Sequence, residues 1–372
     1  MNTTTVIGTG AIGTSVALAL TRRGISVHLE DVDRAAAKTA EAMGAGSLQT
    51  PDRPVDLAVL AVPPAQVGSV LARVQGSRLA RAYVDVASVK QVPHDDVRAQ
   101  RADPASYIGS HPLAGTERSG PLAARADLFE GRPWVLTPSE STGQDVLNRA
   151  LELVALCDAM PVVMDAGMHD HAVALVSHAP HLISSLLAAR LEHAPQDSVR
   201  LSGQGVADVT RIAAGDARLW GDILTSNAAA VADVLDAFAS GLGRAIDALR
   251  AAGDGDPAKR ARAQEDLEEL LRQGNRGCAR IARKPGARRT ELATVAVTIS
   301  DKPGALAELF TSIGELGVNI EDVRIEHSWE HTRGLVELVV QKDAAAELSR
   351  WLGSGGTWAV TRADAFSGFK TE

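Results

Sequence analysis

A glycine pattern close to the start of the chain constrains its fold more than any other feature. Gly8, Gly10 and Gly13 are spaced as Gly-x-Gly-x-x-Gly, after a strand-like apolar run and before a helix-like run. In such a turn the first glycine permits the tight bend, the second lets a pyrophosphate approach the backbone, and the third lets helix and strand pack closely. The helix N-terminus adds free N–H groups that attract phosphate. The pattern predicts a dinucleotide-binding domain whose turn contacts the cofactor through Gly8, Gly10, Ala11, Ile12 and Gly13.

A carboxylate at the end of the second strand-like run indicates which dinucleotide binds. Glu30 and Asp31 follow this run close to the ~20-residue spacing at which an acid accepts hydrogen bonds from the adenosine ribose. Alternation of side chains along the strand favours Asp31. An acid there repels a 2′-phosphate, so we expect NAD rather than NADP, although Arg34 lies close enough in sequence to weaken that preference.

Two further strand-like runs, at 56–62 and 82–86, end in residues suited to the same crevice. In open α/β sheets, ligands bind outside the carboxyl ends of the strands. The residues expected at that edge are Val62, Pro63, Ser88 and Lys90. The first three are assigned to the cofactor. For Ser88 and Lys90, a solvated strand-to-helix turn is the alternative.

The segment 109–120, GSHPLAGTERSG, has a composition that neither a helix nor a strand favours. Glycine and proline interrupt both elements, so the segment is predicted to be a loop shaped for a function. Its histidine, His111, ends a further strand-like run and is therefore expected over the crevice of the glycine turn. A histidine beside a bound nicotinamide suggests hydride transfer from an alcohol. A loop histidine that only caps the strand is the alternative.

The middle of the chain, from 143 onwards, has helical periodicity and a cluster of histidines. His171 and His178 are separated by about two helical turns, so they are unsuited to one metal ion. His178 and His181 share a helix face, but no third ligand is close to them in sequence. We therefore expect a buried helix with a substrate-facing histidine and no metal, and we interpret His169 as a polar residue at the helix start.

Arg211 lies between a glycine-rich turn and a helix of small residues. Its planar guanidinium suits bidentate binding of a carboxylate, and an ion pair with Asp208, one turn earlier, is the alternative.

The helices predicted at 226–249 and 258–272 carry apolar stripes that need a partner surface. A second copy of the chain would supply that surface, which favours a homodimer.

Charge and composition restrict the classes of binding partner and the cellular compartment that we expect for the protein. A net charge of −8 argues against nucleic acid as the main partner. Cys157 and Cys278 lack metal-ligand spacing and fit the reducing cytoplasm. No apolar run approaches the ~20 residues of a membrane span, and the first strand begins too early for a signal peptide. We expect a cytoplasmic protein with no nucleic-acid and no membrane partner.

Four ordered motifs together resemble those of the prephenate/arogenate dehydrogenase family. They are His-Pro-x-Ala-Gly-Thr-Glu-x-Ser-Gly at 111–120, Asp-x-x-Ser-x-Lys at 85–90, Ser-His-x-Pro-His at 177–181 and Asp-x-Thr-Arg-Ile-Ala at 208–213. The tryptophan that follows in the family is matched by Trp220, and the resemblance covers roughly 4–285. It implies that His111 binds the C4 hydroxyl of a cyclohexadienol and takes its proton as hydride leaves for the nicotinamide. Ser88 would hold the same hydroxyl or the nicotinamide amide.

The resemblance also implies a set of substrate-region residues: Arg211, His181, Glu117, Asp208 and Trp220. Arg211, helped by His181, would bind a substrate carboxylate. Glu117 and Asp208 would belong to a gating ionic network. Ala207 departs from the pattern, because some relatives carry a basic residue at this position. The contact of that basic residue is absent here, which leaves the gate and the substrate preference open.

The C-terminal part follows a basic linker at 283–289 and is predicted to have the element order βαββαβ. It resembles an ACT domain, whose Asp-x-Pro-Gly-x-Leu turn is matched by 301–306 and whose Gly-Val-Asn-Ile strand start is matched by 317–320. The resemblance implies that an amino acid, with L-tyrosine the natural candidate, binds near Asp301, Pro303, Gly304 and Asn319. A dimerisation module without a ligand is the alternative.

The sequence as a whole predicts an α/β protein of three domains. These are an N-terminal NAD-binding Rossmann domain at 1–140, an all-α substrate and dimerisation domain at 141–284, and an ACT-like βαββαβ domain at 290–366. The implied activity is NAD-dependent oxidative decarboxylation of prephenate to 4-hydroxyphenylpyruvate in tyrosine biosynthesis, regulated by L-tyrosine. The alternatives are an arogenate dehydrogenase, an enzyme for an amino-substituted prephenate analogue, and a non-catalytic amino-acid-sensing Rossmann/ACT protein. A generic β-hydroxyacid dehydrogenase is a further alternative, although such an enzyme is expected to use a helical lysine in place of His111.

Overall fold

The computed structural model describes residues 1–115, 119–281, 292–300, 302–327, 333–354 and 359–365. Two residues singled out above, Glu117 and Asp301, lie outside the described residues. The chain divides into two compact units, Met1–Ser240 and Gly241–Glu372. The division into three domains at 140 and 284 stays a prediction.

A seven-stranded sheet in the order β2-β1-β3-β4-β5-β6-β7 organises the first unit. Its strands are β1 Thr3–Ile7, β2 Ser26–Glu30, β3 Leu57–Leu60, β4 Tyr83–Asp85, β5 Tyr107–Pro112, β6 Pro133–Thr137 and β7 Met160–Val163. The five strands from β2 to β5 are parallel, β6 is antiparallel to β5, and β7 is parallel to β6. Because β1 lies between β2 and β3, the strand order reverses there, and ligands of such sheets bind at the reversal.

Apolar residues cover both faces of this sheet. Neighbouring side chains alternate between two buried clusters: Val6 and Val59 belong to one, and Ile7 and Leu60 belong to the other. Such continuous apolar runs are typical of parallel strands covered by helices on both faces. The helices of this part are α1 Ala11–Arg22, α2 Arg34–Ala42, α3 Val67–Gly76, α4 Gln91–Ala99 and α5 Gln144–Leu156.

The sheet continues past the boundary expected at residue 140. Strand β7 pairs with β6 through Val163, whereas the sequence pattern was helical from 143 onwards. This strand has only four residues and lies at the edge of the sheet, where most of it is not buried. A short edge strand has too few buried positions to produce a recognisable alternation.

The rest of the first unit is helical and continues into the second. Its helices are α6 Ala166–Val173, α7 Ala179–Glu192, α8 Gln196–Arg200, α9 Gln204–Thr210 and α10 Ala217–Ser226. Helix α11, Ala228–Ala252, spans the division after Ser240, and α12, Pro257–Cys278, belongs to the second unit. A π-helical turn, Ala174–His178, joins α6 to α7. Such turns are rare and are frequently found at functional sites.

Among the described residues, one helical segment, Ala166–Glu192, is long and apolar enough to cross a membrane by length and composition. The expectation that no run approaches this length is therefore wrong. One such helix is weak evidence for a membrane span, because a core helix passes the same test. This segment carries buried polar side chains that form hydrogen bonds within the unit, including those of His169 and Asp170.

The second unit contains a four-stranded sheet in the order β11-β8-β10-β9, with neighbouring strands antiparallel. Its elements are β8 Leu292–Ser300, α13 Ala305–Glu315, β9 Ile320–His327, β10 Arg333–Gln341, α14 Lys342–Ser354 and β11 Ala359–Ala365. This is the predicted βαββαβ order. Buried side chains of the sheet, such as Val297 and Leu338, pack with Leu309 of α13 and Leu348 of α14. Gly304 starts α13 with a φ of 94°, a left-handed conformation that favours glycine.

Candidate active site

The glycine turn between β1 and α1 forms a cradle. A Cβ atom on Gly8 would lie 2.2 Å from the carbonyl oxygen of Ala61, and one on Gly13 would lie 1.9 Å from the carbonyl oxygen of Gly8. By contrast, a Cβ atom on Gly10 would meet nothing within 4 Å. Close backbone packing therefore requires the outer glycines, and the middle one faces open space. The first turn of α1 has no side-chain cap, so its N–H groups suit a phosphate.

Asp31 lies beside this cradle and is bonded to it. Its Oδ2 accepts hydrogen bonds from the N–H of Thr9 at 2.5 Å and from the hydroxyl of Thr9 at 2.8 Å. The neighbouring acid, Glu30, forms an ion pair with Arg73 at 2.8 Å. The carboxylate bonded to the turn is therefore that of Asp31, whereas Glu30 contacts the turn through its backbone carbonyl.

The carboxyl ends of the parallel strands bring further predicted residues to the same edge. Val62 and Pro63 follow β3, Ser88 follows β4, and His111 is the fifth residue of the six in β5. Ser88 and His111 are both half-buried. The fold thus gathers the cofactor residues and the candidate base at one sheet edge, although the four strands are separated widely in sequence.

Lys90 lies beneath that edge and does not reach it. The side chain is fully buried, and its ammonium donates hydrogen bonds to the carboxylate of Asp85 and the carbonyl of Ser110. Tyr107 donates to the other carboxylate oxygen of Asp85 at 2.7 Å. The expectation of a lysine at the crevice is therefore wrong, as is the alternative of a solvated turn, because a buried ion pair accounts for this residue.

A chain of hydrogen bonds extends from His111 into the protein. Nδ1 of His111 lies 2.9 Å from Nε2 of His169, and Nδ1 of His169 lies 2.7 Å from Oδ1 of Asp170. Asp170 in turn accepts from the backbone N–H groups of Lys90 and Gln91, each at 2.8 Å. His169 is completely buried, so it is not the simple polar residue at a helix start that the sequence suggested.

The surroundings of His111 and His178 keep these two histidines neutral. Burial, reinforced by the proximity of His169, Lys90 and His178, holds the pKa of His111 well below its ordinary value of 6.5. Burial also lowers the pKa of His178 to about 4, against the opposing effect of Asp170. A neutral imidazole at pH 7 can accept a proton, so His111 is suited to act as a base.

A second group of aromatic rings lies on the helical side of the first unit. The ring of His181 stacks on Trp220 with 3.6 Å between centroids and 10° between planes, and His178 meets the same indole edge-on at 6.2 Å. A Cβ atom on Gly215 would lie 2.5 Å from Nε1 of Trp220, so the stack requires a glycine there. Asn227 donates to Nδ1 of His178 at 3.1 Å and to the carbonyl of Asp170 at 2.8 Å, which links this group to the His111 chain.

Arg211 starts a short 3-10 turn, 211–214, that packs against α7, the helix of His181. The Arg211 side chain is exposed. Asp208 is exposed as well, and its Oδ1 accepts a hydrogen bond from Gln204 at 2.8 Å. The structure thus brings the segment of Arg211 next to the helix that carries His181.

The sequence missed His169, Asp170 and Asn227 as parts of this site. The available signal was the adjacent His-Asp pair on the same helix as the Ser-His-x-Pro-His motif. Among the described residues, no group of three or more His, Cys, Asp or Glu side chains is placed to hold a metal ion.

Comparisons with known proteins identify relatives of the chain. The family model "Prephenate dehydrogenase, nucleotide-binding domain" matches 16–163, and the model "Prephenate dehydrogenase, dimerization domain" matches 165–273. The chain is 42% identical over 327 residues to a probable prephenate dehydrogenase, NovF, of Streptomyces niveus, with 87% of this chain and 90% of the relative covered. It is 34% identical over 263 residues to a cyclohexadienyl dehydrogenase of Zymomonas mobilis, with 68% and 89% covered.

A solved structure shares the fold. It is a prephenate dehydrogenase from Aquifex aeolicus in complex with hydroxyphenyl propionate and NAD+. It superposes with a TM-score of 0.64 at 23% identity and covers 76% of this chain and 99% of its own.

Proposed function

We propose that this chain, which belongs to the prephenate dehydrogenase family, catalyses the NAD-dependent oxidative decarboxylation of prephenate to 4-hydroxyphenylpyruvate in tyrosine biosynthesis. The observation that carries the proposal is the position of His111. It ends a strand at the sheet edge where the glycine turn and Asp31 lie, and burial keeps its ring neutral. This position and the neutral ring support His111 as the base beside the nicotinamide.

The residues of the first sheet fit NAD as the cofactor. Gly10 leaves open space for a pyrophosphate, and α1 directs uncapped N–H groups toward it. Asp31 is half-buried beside the turn, where its carboxylate suits the ribose hydroxyls and repels a 2′-phosphate. When bound, NAD supplies the acceptor for the hydride that leaves C4 of the substrate.

His111 accepts the hydroxyl proton of the substrate and later returns it to the product. It hydrogen-bonds the C4 hydroxyl and takes the hydroxyl proton as the C4–H bond breaks. The bond between C1 and the ring carboxylate then breaks, its electron pair enters the ring, and carbon dioxide leaves. The ring becomes aromatic, and His111 returns the proton to the phenolate oxygen. Ser88, at the end of the neighbouring strand, holds the hydroxyl or the nicotinamide amide.

The helical residues hold the rest of the substrate in this proposal. Arg211 anchors a carboxylate, because a guanidinium binds that group through two parallel hydrogen bonds. His181 assists it from the helix against which the 211–214 turn packs, and Trp220 fixes the His181 ring by stacking. Asp208 and Glu117 belong to a gating network in which Ala207 supplies no charge.

Two copies of the chain form a cytoplasmic homodimer through the helical region. The match of 165–273 to a dimerization domain supports this assembly.

We assign the C-terminal βαββαβ unit to the ACT domains and propose that L-tyrosine binds at its first turn, near Asp301, Pro303, Gly304 and Asn319. Calorimetry with L-tyrosine tests this assignment, and the absence of both heat and inhibition would contradict it.

Parallel assays of NAD reduction with prephenate and arogenate, with and without L-tyrosine, test the function. The two substrates differ only in a keto or an amino group on the side chain. Faster turnover of prephenate supports the proposal, and faster turnover of arogenate makes the chain an arogenate dehydrogenase. Binding of tyrosine without turnover of either would instead indicate an amino-acid sensor.

A further inference from the structure

We propose that His169 and Asp170 are positioning residues that fix the tautomer of His111 and so keep its Nε2 as the nitrogen that accepts the substrate proton. The inference rests on the proposed function, in which His111 is the base. It concerns residues that touch neither the substrate nor the cofactor in that proposal.

Asp170 is anchored as a charged acceptor. Its Oδ2 accepts from the N–H of Gln91 at 2.8 Å, and its Oδ1 accepts from the N–H of Lys90 at 2.8 Å. These N–H groups belong to the start of α4, and a helix N-terminus stabilises a negative charge. An ionised carboxylate can only accept hydrogen bonds. The 2.7 Å contact between Asp170 and Nδ1 of His169 therefore requires the proton to be on that nitrogen.

The tautomer of His169 determines the tautomer of His111. A neutral imidazole carries one N–H, so a proton on Nδ1 leaves Nε2 of His169 as an acceptor. Its partner at 2.9 Å is Nδ1 of His111, which must then donate. His111 in turn keeps its lone pair on Nε2. Two successive hydrogen bonds thus transmit the orientation of one carboxylate to the base.

The backbone next to the base is held by a residue of the same network. The N–H of Lys90 donates to Asp170, and its buried ammonium donates to the carbonyl of Ser110, the residue before His111. One fully buried side chain therefore ties the end of β5 to the start of α4. Side chain and backbone of His111 are both supported by a second layer of contacts, as an accurate catalytic geometry requires.

The arrangement also offsets part of the cost of protonating the buried base. When the proton passes from the substrate oxygen to Nε2 of His111, the imidazolium donates from Nδ1 to a neutral His169, with the Asp170 carboxylate beyond it. The carboxylate lowers the energy of this charge without taking the proton, as the aspartate of a Ser-His-Asp triad does. Between His169 and Asp170 no bond forms or breaks in this step.

Substitution of the network tests the inference through the rate. In Asp170→Leu, no acceptor faces Nδ1 of His169, so the tautomers of His169 and His111 are no longer fixed. We expect kcat with prephenate to fall by roughly 10²–10⁴-fold, as when a base or its orienting carboxylate is removed. KM should change far less than kcat. The kcat of His169→Asn should fall by a similar factor. The matched control is His171→Asn, at an exposed position on the same helix, which should retain the wild-type kcat. An unchanged kcat in both network variants would overturn the inference.

The tautomer itself is measured without turnover. In wild-type enzyme labelled with ¹⁵N-histidine, the resonances of His111, assigned by their loss in His111→Asn, should show the proton on Nδ1. A proton on Nε2 would overturn the inference whatever the activity, and this readout remains if Asp170→Leu fails to fold. If the wild type does not oxidise prephenate, the proposed function fails, whereas the tautomer result still decides the role of His169 and Asp170.

Discussion

Thr9 donates two hydrogen bonds to one oxygen of Asp31, from its N–H at 2.5 Å and from its hydroxyl at 2.8 Å. The contact ties the end of β2 to the glycine turn after β1. It fixes the carboxylate beside the space that Gly10 leaves open. In the proposed function, these two adjacent loops of the first unit set the choice of cofactor.

Asp31→Ser should shift the enzyme from NAD toward NADP. The variant loses the acceptor for the ribose hydroxyls and the charge that repels a 2′-phosphate, while Arg34 remains nearby in sequence. We expect the ratio of kcat/KM for NAD to that for NADP to fall by about 10-fold or more, the equivalent of one charged hydrogen bond of ~1.5 kcal/mol. Glu30→Gln is the control, since Glu30 is bonded to Arg73. An unchanged ratio in Asp31→Ser would rule out this role.

The pH profile should report a base that stays neutral under mildly acidic conditions. His111 accepts a proton only when unprotonated, and its pKa lies well below 6.5 because of burial and the proximity of His169, Lys90 and His178. Initial rates of NADH formation should therefore give a kcat/KM that stays level as the pH falls through 6.5 and declines only at lower pH. A half-maximal value at or above pH 6.5 would contradict this electrostatic account.

Arg211→Ala should weaken substrate binding more than chemistry. Loss of a charge-assisted hydrogen bond of about 1.5–3 kcal/mol corresponds to a rise in KM of roughly 10–100-fold. The control is Arg218→Ala, which removes an exposed arginine from the neighbouring helix α10. Steady-state kinetics with prephenate separate the two constants. Equal KM values for Arg211→Ala and the wild type would exclude Arg211 as the anchor.

Lys90→Met should destabilise the first unit although it changes no surface charge. It leaves the buried Asp85 carboxylate without its counterion, and breaking a buried pair in this way costs about 3–5 kcal/mol. We expect a clear drop in Tm measured by thermal unfolding. Lys38→Met, at an exposed position of α2, should leave Tm nearly unchanged. Similar Tm values for the two variants would show that the pair is not needed for the fold.

Local patterns in the sequence were sufficient to predict that Asp31 lies beside the glycine turn. The glycine spacing and the strand alternation that favoured Asp31 both lie within the short segment from β1 through α1 to the end of β2, so no long-range information was needed. The contact of His111 with His169 spans 58 residues of chain and depends on how α6 packs against the sheet, which no local pattern encodes. Lys90 was misplaced for a related reason: lysine is almost never fully buried unless paired, and its partner Asp85 was recognised only as part of a motif.

The most direct test of the central claim compares NAD reduction by the wild type and by His111→Asn with prephenate as substrate. Asparagine can fill the space of the imidazole but cannot accept a proton near neutral pH. The account predicts that the wild type produces NADH and that kcat of the variant is lower by roughly 10²–10⁴-fold. NAD binding, followed by titration, should be unchanged. Near-normal turnover by His111→Asn would contradict the account.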